Sequence, residues 1–159
     1  MAIAVRSDLD LHSQVSAQGA TWLDRQAIAR DPIALSDSGF GAEVRQALDE
    51  RAEHLIGEGF AERQGGRVVF ARRLLSTLRQ RELDNLGEKL ATETGMSFER
   101  AASGEYVAGS YRQRFALASG RFAMIDDGLG FQLVPWSPSI EKQIGRHVSG
   151  VARDDGGVD

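Results

Sequence analysis

Gly104-Glu-Tyr-Val-Ala-Gly-Ser-Tyr-Arg-Gln-Arg-Phe-Ala-Leu-Ala-Ser-Gly-Arg-Phe-Ala-Met-Ile-Asp-Asp-Gly-Leu-Gly-Phe-Gln-Leu-Val-Pro-Trp136 reads as short strands joined by turn residues. Tyr106 to Tyr111, Arg114 to Leu117, Arg121 to Ile125 and Phe131 to Val134 are the strand candidates, with Ser119-Gly120 and Asp126-Asp127-Gly128 as turns. Phe115 and Leu117 point one way and Arg114 and Ala116 the other. Phe122 with Met124, and Phe131 with Leu133, repeat the pattern. Such alternation predicts an antiparallel meander with one buried face.

Working outward, Pro135 ends the meander. Ser137 is a good N-cap with Pro138 at the first helical position, so a short helix is expected over Pro138 to Ile144, stopped by Gly145. His147 to Ala152 reads as a closing strand. Four meander strands, a helical turn and a last strand give the order of a small SH3-like barrel, with an open curled sheet as the alternative. The preceding part is helical. Leu11, Val15, Trp22 and Leu23 fall at roughly helical spacing up to Asp31-Pro32, interrupted by Gly19. Leu35 to Gly41 is a turn-rich connector. Val44, Leu48, Ala52, Leu55 and Ile56 line one face of the next helix, with Glu43, Arg45, Asp49, Glu50 and Glu53 opposite and Gly57 and Gly59 as stops. Gly65-Gly66 separates two strand-like runs and predicts a tight hairpin. A further helix spans about Arg72 to Thr94, with Leu75, Leu78, Leu86 and Leu90 on its apolar side. Helices followed by a glycine-tipped hairpin partly match a winged helix. The expectation is an α+β chain: a lead-in over 1–10, a winged-helix-like subdomain over 11–95, a small sheet or barrel over 96–152 and a tail over 153–159.

The totals bound the function. The chain has 159 residues, 42% of them apolar and 26% charged, the balance of an ordinary globular protein. It has no cysteine, which excludes disulfides and thiolate metal sites and fits a cytoplasmic protein. No apolar run reaches the roughly 20 residues needed to span a bilayer, so no membrane insertion is expected. The net charge of −4 argues against a surface that binds nucleic acid all over, but not against a local basic face.

Catalytic chemistry is not visible. His12, His54 and His147 are far apart and show no metal-ligand spacing, Asp126-Asp127 reads as turn chemistry, and no serine sits in a nucleophile elbow. No catalytic residue, metal or cofactor is expected. The asymmetric feature is basic. Arg63, Arg67, Arg72, Arg73, Arg79 and Arg81 occur with no acidic residue among them. They either grip phosphates or pair with the acid-rich 43–62 stretch. Arg112, Arg114 and Arg121 form a second basic group near Tyr106 and Tyr111, a combination that small barrels use to bind single strands. Trp22 and Trp136 read as core or boundary anchors.

Several stretches carry a family resemblance: Gly19 to Gln26, Phe40 to Arg45, Arg51 to Leu55, Ser119 to Pro138 and Gly145 to Gly150. They resemble the C-terminal region of relaxase/mobilisation nucleases of bacterial conjugative elements. In those proteins an N-terminal domain nicks the transfer origin with a tyrosine and a histidine-bound metal. This chain lacks the histidine triad, and its two tyrosines lie in the meander, so no catalytic residue carries over. The resemblance implies an accessory, non-enzymatic domain whose partners are origin DNA, relaxosome proteins or the type IV coupling machinery.

Overall fold

The computed structural model describes residues 7–29, 39–102 and 104–151. The first six lead-in residues, the Asp31-Pro32 stop, residues 35–38 of the connector and the 153–159 tail lie outside the described residues. The order is α1 (Leu11–Val15), α2 (Trp22–Ala27), α3 (Gly39–Glu58), β1 (Ala61–Gln64), β2 (Arg67–Phe70), α4 (Leu74–Thr94), β3 (Ser97–Phe98), β4 (Tyr106–Leu117), β5 (Gly120–Asp126), β6 (Gly130–Pro135), α5 (Pro138–Glu141) and β7 (His147–Val151). The class is α+β. The chain divides into two compact units between Arg81 and Glu82, inside α4. Leu74 and Leu78 belong to the core of the first unit, whereas Leu83 and Leu90 belong to that of the second. The sequence placed the boundary after the helix, at 95/96.

In the first unit, the expected single run from Leu11 to Asp31 is two short helices. Thr21 and Asp24 form a capping box that starts α2 afresh, and Ser16 closes α1. The buried line of α3 is Gly41, Val44, Ala47, Arg51 and Leu55, with Leu48, Ala52 and Ile56 at its flanks. This differs from the predicted stripe because Arg51, which that stripe does not include, is at the centre of the buried face. Its side chain is 2% exposed. Nε and Nη2 each lie 2.9 Å from an Asp24 carboxylate oxygen. Nη1 donates to the carbonyls of Val15 (3.1 Å) and Ala17 (2.6 Å), and Nη2 also donates to that of Gly19 (2.9 Å). All five guanidinium donors are thus satisfied. Gln14, also buried, accepts from the Leu23 amide and donates to the Leu9 carbonyl.

Gly65-Gly66 does make a two-residue hairpin loop between Gln64 and Arg67. Only Gly65 has a positive φ, at 64°, as in a type II′ turn.

The second unit is a five-stranded sheet in the order β3-β6-β5-β4-β7. It is antiparallel except for the short β3–β6 pair, and no closed barrel forms among the described residues. Two predicted strands, Tyr106 to Tyr111 and Arg114 to Leu117, are one strand, β4, with a register shift between Tyr111 and Gln113. That bulge at Arg112 lets one strand pair with β7 over its first half and β5 over its second. Phe122, Met124, Phe131 and Leu133 pack with Leu83 and Leu90 of α4, joined by Phe115 and Leu117. The opposite face is also buried over much of its area. Val107, Tyr111, Ala123, Ile125 and Val134 form a second core with Ile140 of α5. The meander is therefore not apolar on one side only. Gly87 of α4 makes room for Phe98, whose ring would lie 2.4 Å from an added Cβ.

Candidate nucleic-acid interface

The six arginines of 63–81 lie on the hairpin, the turn after it and the first turns of α4, and the structure divides them. Arg63 pairs with Glu53 of α3, both more than half exposed. Arg81 donates from Nη1 to Glu58 at 2.7 Å and from Nε to the Gln18 carbonyl at 2.9 Å, and its guanidinium lies 4.9 Å from the Phe60 ring centroid. The Arg81 guanidinium holds the Glu58 carboxyl below its usual range. His54 adds to that group, with Nε2 2.5 Å from Glu58. Two of the six are thus matched by the acid-rich stretch. Among the described residues, no ion pair engages Arg67, Arg72, Arg73 or Arg79.

Arg67 is at the hairpin tip, whereas Arg72 and Arg73 follow its base. At the usual strand rise these positions are roughly 15 Å apart. Arg72 and Arg73 form the turn before α4 rather than its first residues. Arg73 has φ +54°, a left-handed backbone rare outside glycine, and its carbonyl accepts from the Thr77 amide. Arg79, half-buried, lies on α4 itself. The open groove beside the hairpin base, about 240 Å³, is lined by Phe60, Glu62, Val69 and Phe70 and brings no nucleophile and base together.

The second basic group also divides. Arg112 donates from Nε to the buried Asp126 at 2.9 Å. Arg114 and Arg121, both exposed, converge on Trp136, with guanidinium carbons 5.1 and 5.7 Å from the ring centroid. Register explains this. Arg114 faces Ala123 and Arg121 faces Ala116 across β4–β5, on the same side of the sheet. The Trp136 amide, just past β6, donates to the Arg121 carbonyl. The indole is fixed by Glu141, whose Oε2 accepts from Trp136 Nε1 at 2.6 Å and from the Tyr111 hydroxyl at 2.7 Å. These two bonds hold the Glu141 carboxyl below its usual range.

Tyr111 is fully buried, and burial together with Glu141 pushes its hydroxyl up to about 12. A group held protonated in the fold contributes stability that is complete below its unfolded value of 10.0 and is lost as pH rises through about 12. Denaturation midpoints are therefore expected to fall between pH 10 and 12. The Tyr111→Phe variant should be less stable at neutral pH by about 1 kcal/mol, from the lost hydrogen bond, and should show less of the alkaline decline. An equal decline in both proteins would contradict this assignment.

The remaining carboxylates do local work. Asp127 Oδ1 accepts the amides of Leu129 and Gly130, and Asp126 Oδ1 that of Gly128, closing the β5–β6 turn. Among the described residues, no three of His, Asp and Glu gather as metal ligands. His147 is exposed on β7. Arg51, Glu82 and Glu141 were not singled out by sequence reasoning. Glu82 binds the amides of Ala118 and Ser119 at the β4–β5 turn. No local pattern marks any of the three, since each acts on residues distant in the chain or in another element.

The fold and site define an α+β protein of two compact units, one with an arginine-bearing hairpin and one with a sheet whose face ends in an arginine–tryptophan cluster. A family model described as "Protein of unknown function (DUF3363)" matches residues 1–159, and the chain belongs to that family. No curated protein and no solved structure matches it. No helix among the described residues is long and apolar enough to cross a membrane.

Proposed function

We propose that this chain is a non-catalytic accessory domain of the conjugative relaxase type, cytoplasmic, which helps bind DNA and assemble the relaxosome. Four arginines without an ion-pair partner among the described residues, Arg67, Arg72, Arg73 and Arg79, carry this reading. They are strung along the hairpin and the start of α4, a spacing that suits a polyanion better than one small anion. In this reading the α2–α3–hairpin segment is winged-helix-like, with Gly65-Gly66 at the wing tip, and the sheet is a curled relative of the small-barrel order.

Fluorescence anisotropy with a labelled 20-base-pair duplex tests it. Micromolar binding that weakens with salt is expected. Replacing the four arginines by alanine should lower affinity at least tenfold and reduce the salt slope by up to about 3.6. Duplex affinity unchanged in a folded quadruple variant would refute the assignment. A second reading, a module docked by relaxosome or coupling proteins, is favoured by the net charge of −4, which suits protein contact better than an all-over nucleic-acid surface. A folded chain that binds no nucleic acid would leave this second reading standing.

A further inference from the structure

The sheet face of the second unit ends in Arg114, Arg121 and Trp136, and this cluster has a form that the hairpin lacks. The ring is half-buried against the core of Tyr111, Ile125 and Val134, and its N–H is held by Glu141. Its orientation is therefore set before anything binds. Two exposed guanidiniums lie over it. An exposed cation–π contact is weaker than the stacking of a nucleobase on an aromatic ring. A base can take the place of a guanidinium on the indole, and the displaced guanidinium is then positioned to meet the phosphate of the same nucleotide. Such stacking requires a base face free of its neighbours, which a single strand offers and an intact duplex does not. Glu141 is the acid beside the ring, and its Oε2 is already occupied by Tyr111 and Trp136.

An extended peptide adding to the sheet is the competing occupant. The β7 pairing of β4 stops at Ser110, so among the described residues no strand pairs the β7 side of positions 112–117. That edge carries a bulge at Arg112 and the charged side chains of Arg112 and Arg114. Bulges and edge charges hinder strand addition, so this edge is a poor peptide dock.

We propose that Trp136, with Arg114 and Arg121, is a stacking site for single-stranded nucleic acid, separate from the duplex contact on the hairpin. The inference rests on the nucleic-acid reading given above. The ligand is recognised by unpaired bases and backbone phosphate, with no base identity implied.

Titration of the full chain with the oligonucleotide dT12, followed by tryptophan fluorescence, tests the proposal. Trp22 is 4% exposed, so quenching reports mainly on Trp136. Saturable quenching at micromolar dT12 is expected. Arg114→Glu with Arg121→Glu changes only exposed side chains. It should weaken dT12 binding at least tenfold and reduce the salt slope by about 1.4, two single-strand contacts' worth. Duplex affinity of this variant should stay within about twofold of the parent chain. Trp136→Phe, which keeps a ring in the core, should abolish the quenching and lower dT12 affinity measured by anisotropy. Unchanged dT12 affinity in the folded double variant overturns the site while leaving the hairpin reading intact. So does equal competition by a dodecamer of glutamate, which would mark a general anion patch. Loss of dT12 binding only in the hairpin quadruple variant also overturns it. No binding of either dT12 or duplex overturns both.

Discussion

The Arg51→Ala variant is expected to lose about 3–5 kcal/mol of stability, because one partner of a buried ion pair is removed and the other is left in place. Asp24 would stay buried without its guanidinium partner, its carboxylate still accepting the Thr21 amide. The carbonyls of Val15, Ala17 and Gly19 would lose their shared donor. A loss of that size is comparable with the whole stability of a small domain. Urea unfolding followed by near-ultraviolet circular dichroism would read it, since Trp22 is packed in the same unit beside Leu23 and Val44. Arg51→Lys should recover only part, because an ammonium cannot match a planar carboxylate fork and three carbonyls together. Arg51→Met combined with Asp24→Leu should restore more than either single change, since no charge is then stranded. An Arg51→Ala midpoint equal to the parent's would show that the network contributes nothing net.

The second large effect is expected at Gly109. A Cβ there would lie 2.5 Å from the Asp126 carbonyl oxygen and 2.7 Å from its carbon, both backbone atoms. Strand propensity favours alanine over glycine, by a fraction of the roughly 1 kcal/mol span of that scale. Sterics decide against it. A side-chain neighbour can swing away, but here β4 must separate from the end of β5. The cost of Gly109→Ala should be at or above the top of the usual overpacking range of about 1–3 kcal/mol. Asp126 also accepts from Arg112 and Gly128, so the displacement would disturb the β5–β6 turn as well. Thermal unfolding compared with Ala108→Gly, one position away, separates a steric cost from a general loss of strand preference. Equal midpoints for Gly109→Ala and the parent would refute it.

These two residues share a property that explains what could be read from the chain. The hairpin at Gly65-Gly66, the helix end at Thr94, the Ser137-Pro138 helix start and the Phe115/Phe122/Phe131 face all depend on neighbours within a few positions. Their signals are local, and the elements fell where those signals put them. Arg51 looks like any charged helix residue, because its carboxylate partner is 27 positions away. Gly109 is an ordinary position inside the predicted Tyr106 to Tyr111 strand, and its steric role appears only when β5 comes alongside. The apolar residues on the second sheet face, Ile125 and Val134, were visible in the alternation but were outweighed by the arginines sharing that face.

The candidate site divides along the same line. Composition alone pointed to the arginines of 63–81. Pairing of Arg63 with Glu53 and of Arg81 with Glu58 required the hairpin and α4 to be folded beside α3. Trp136 was legible as an anchor at a strand end, but its two guanidinium neighbours come from β4 and β5 through sheet register. By itself the sequence determined the element types, the turns and one core face, because period and turn chemistry act over a few residues. Only the tertiary structure decided which charges are buried, which are neutralised and which gather, because charge interactions depend on distance in space and on burial.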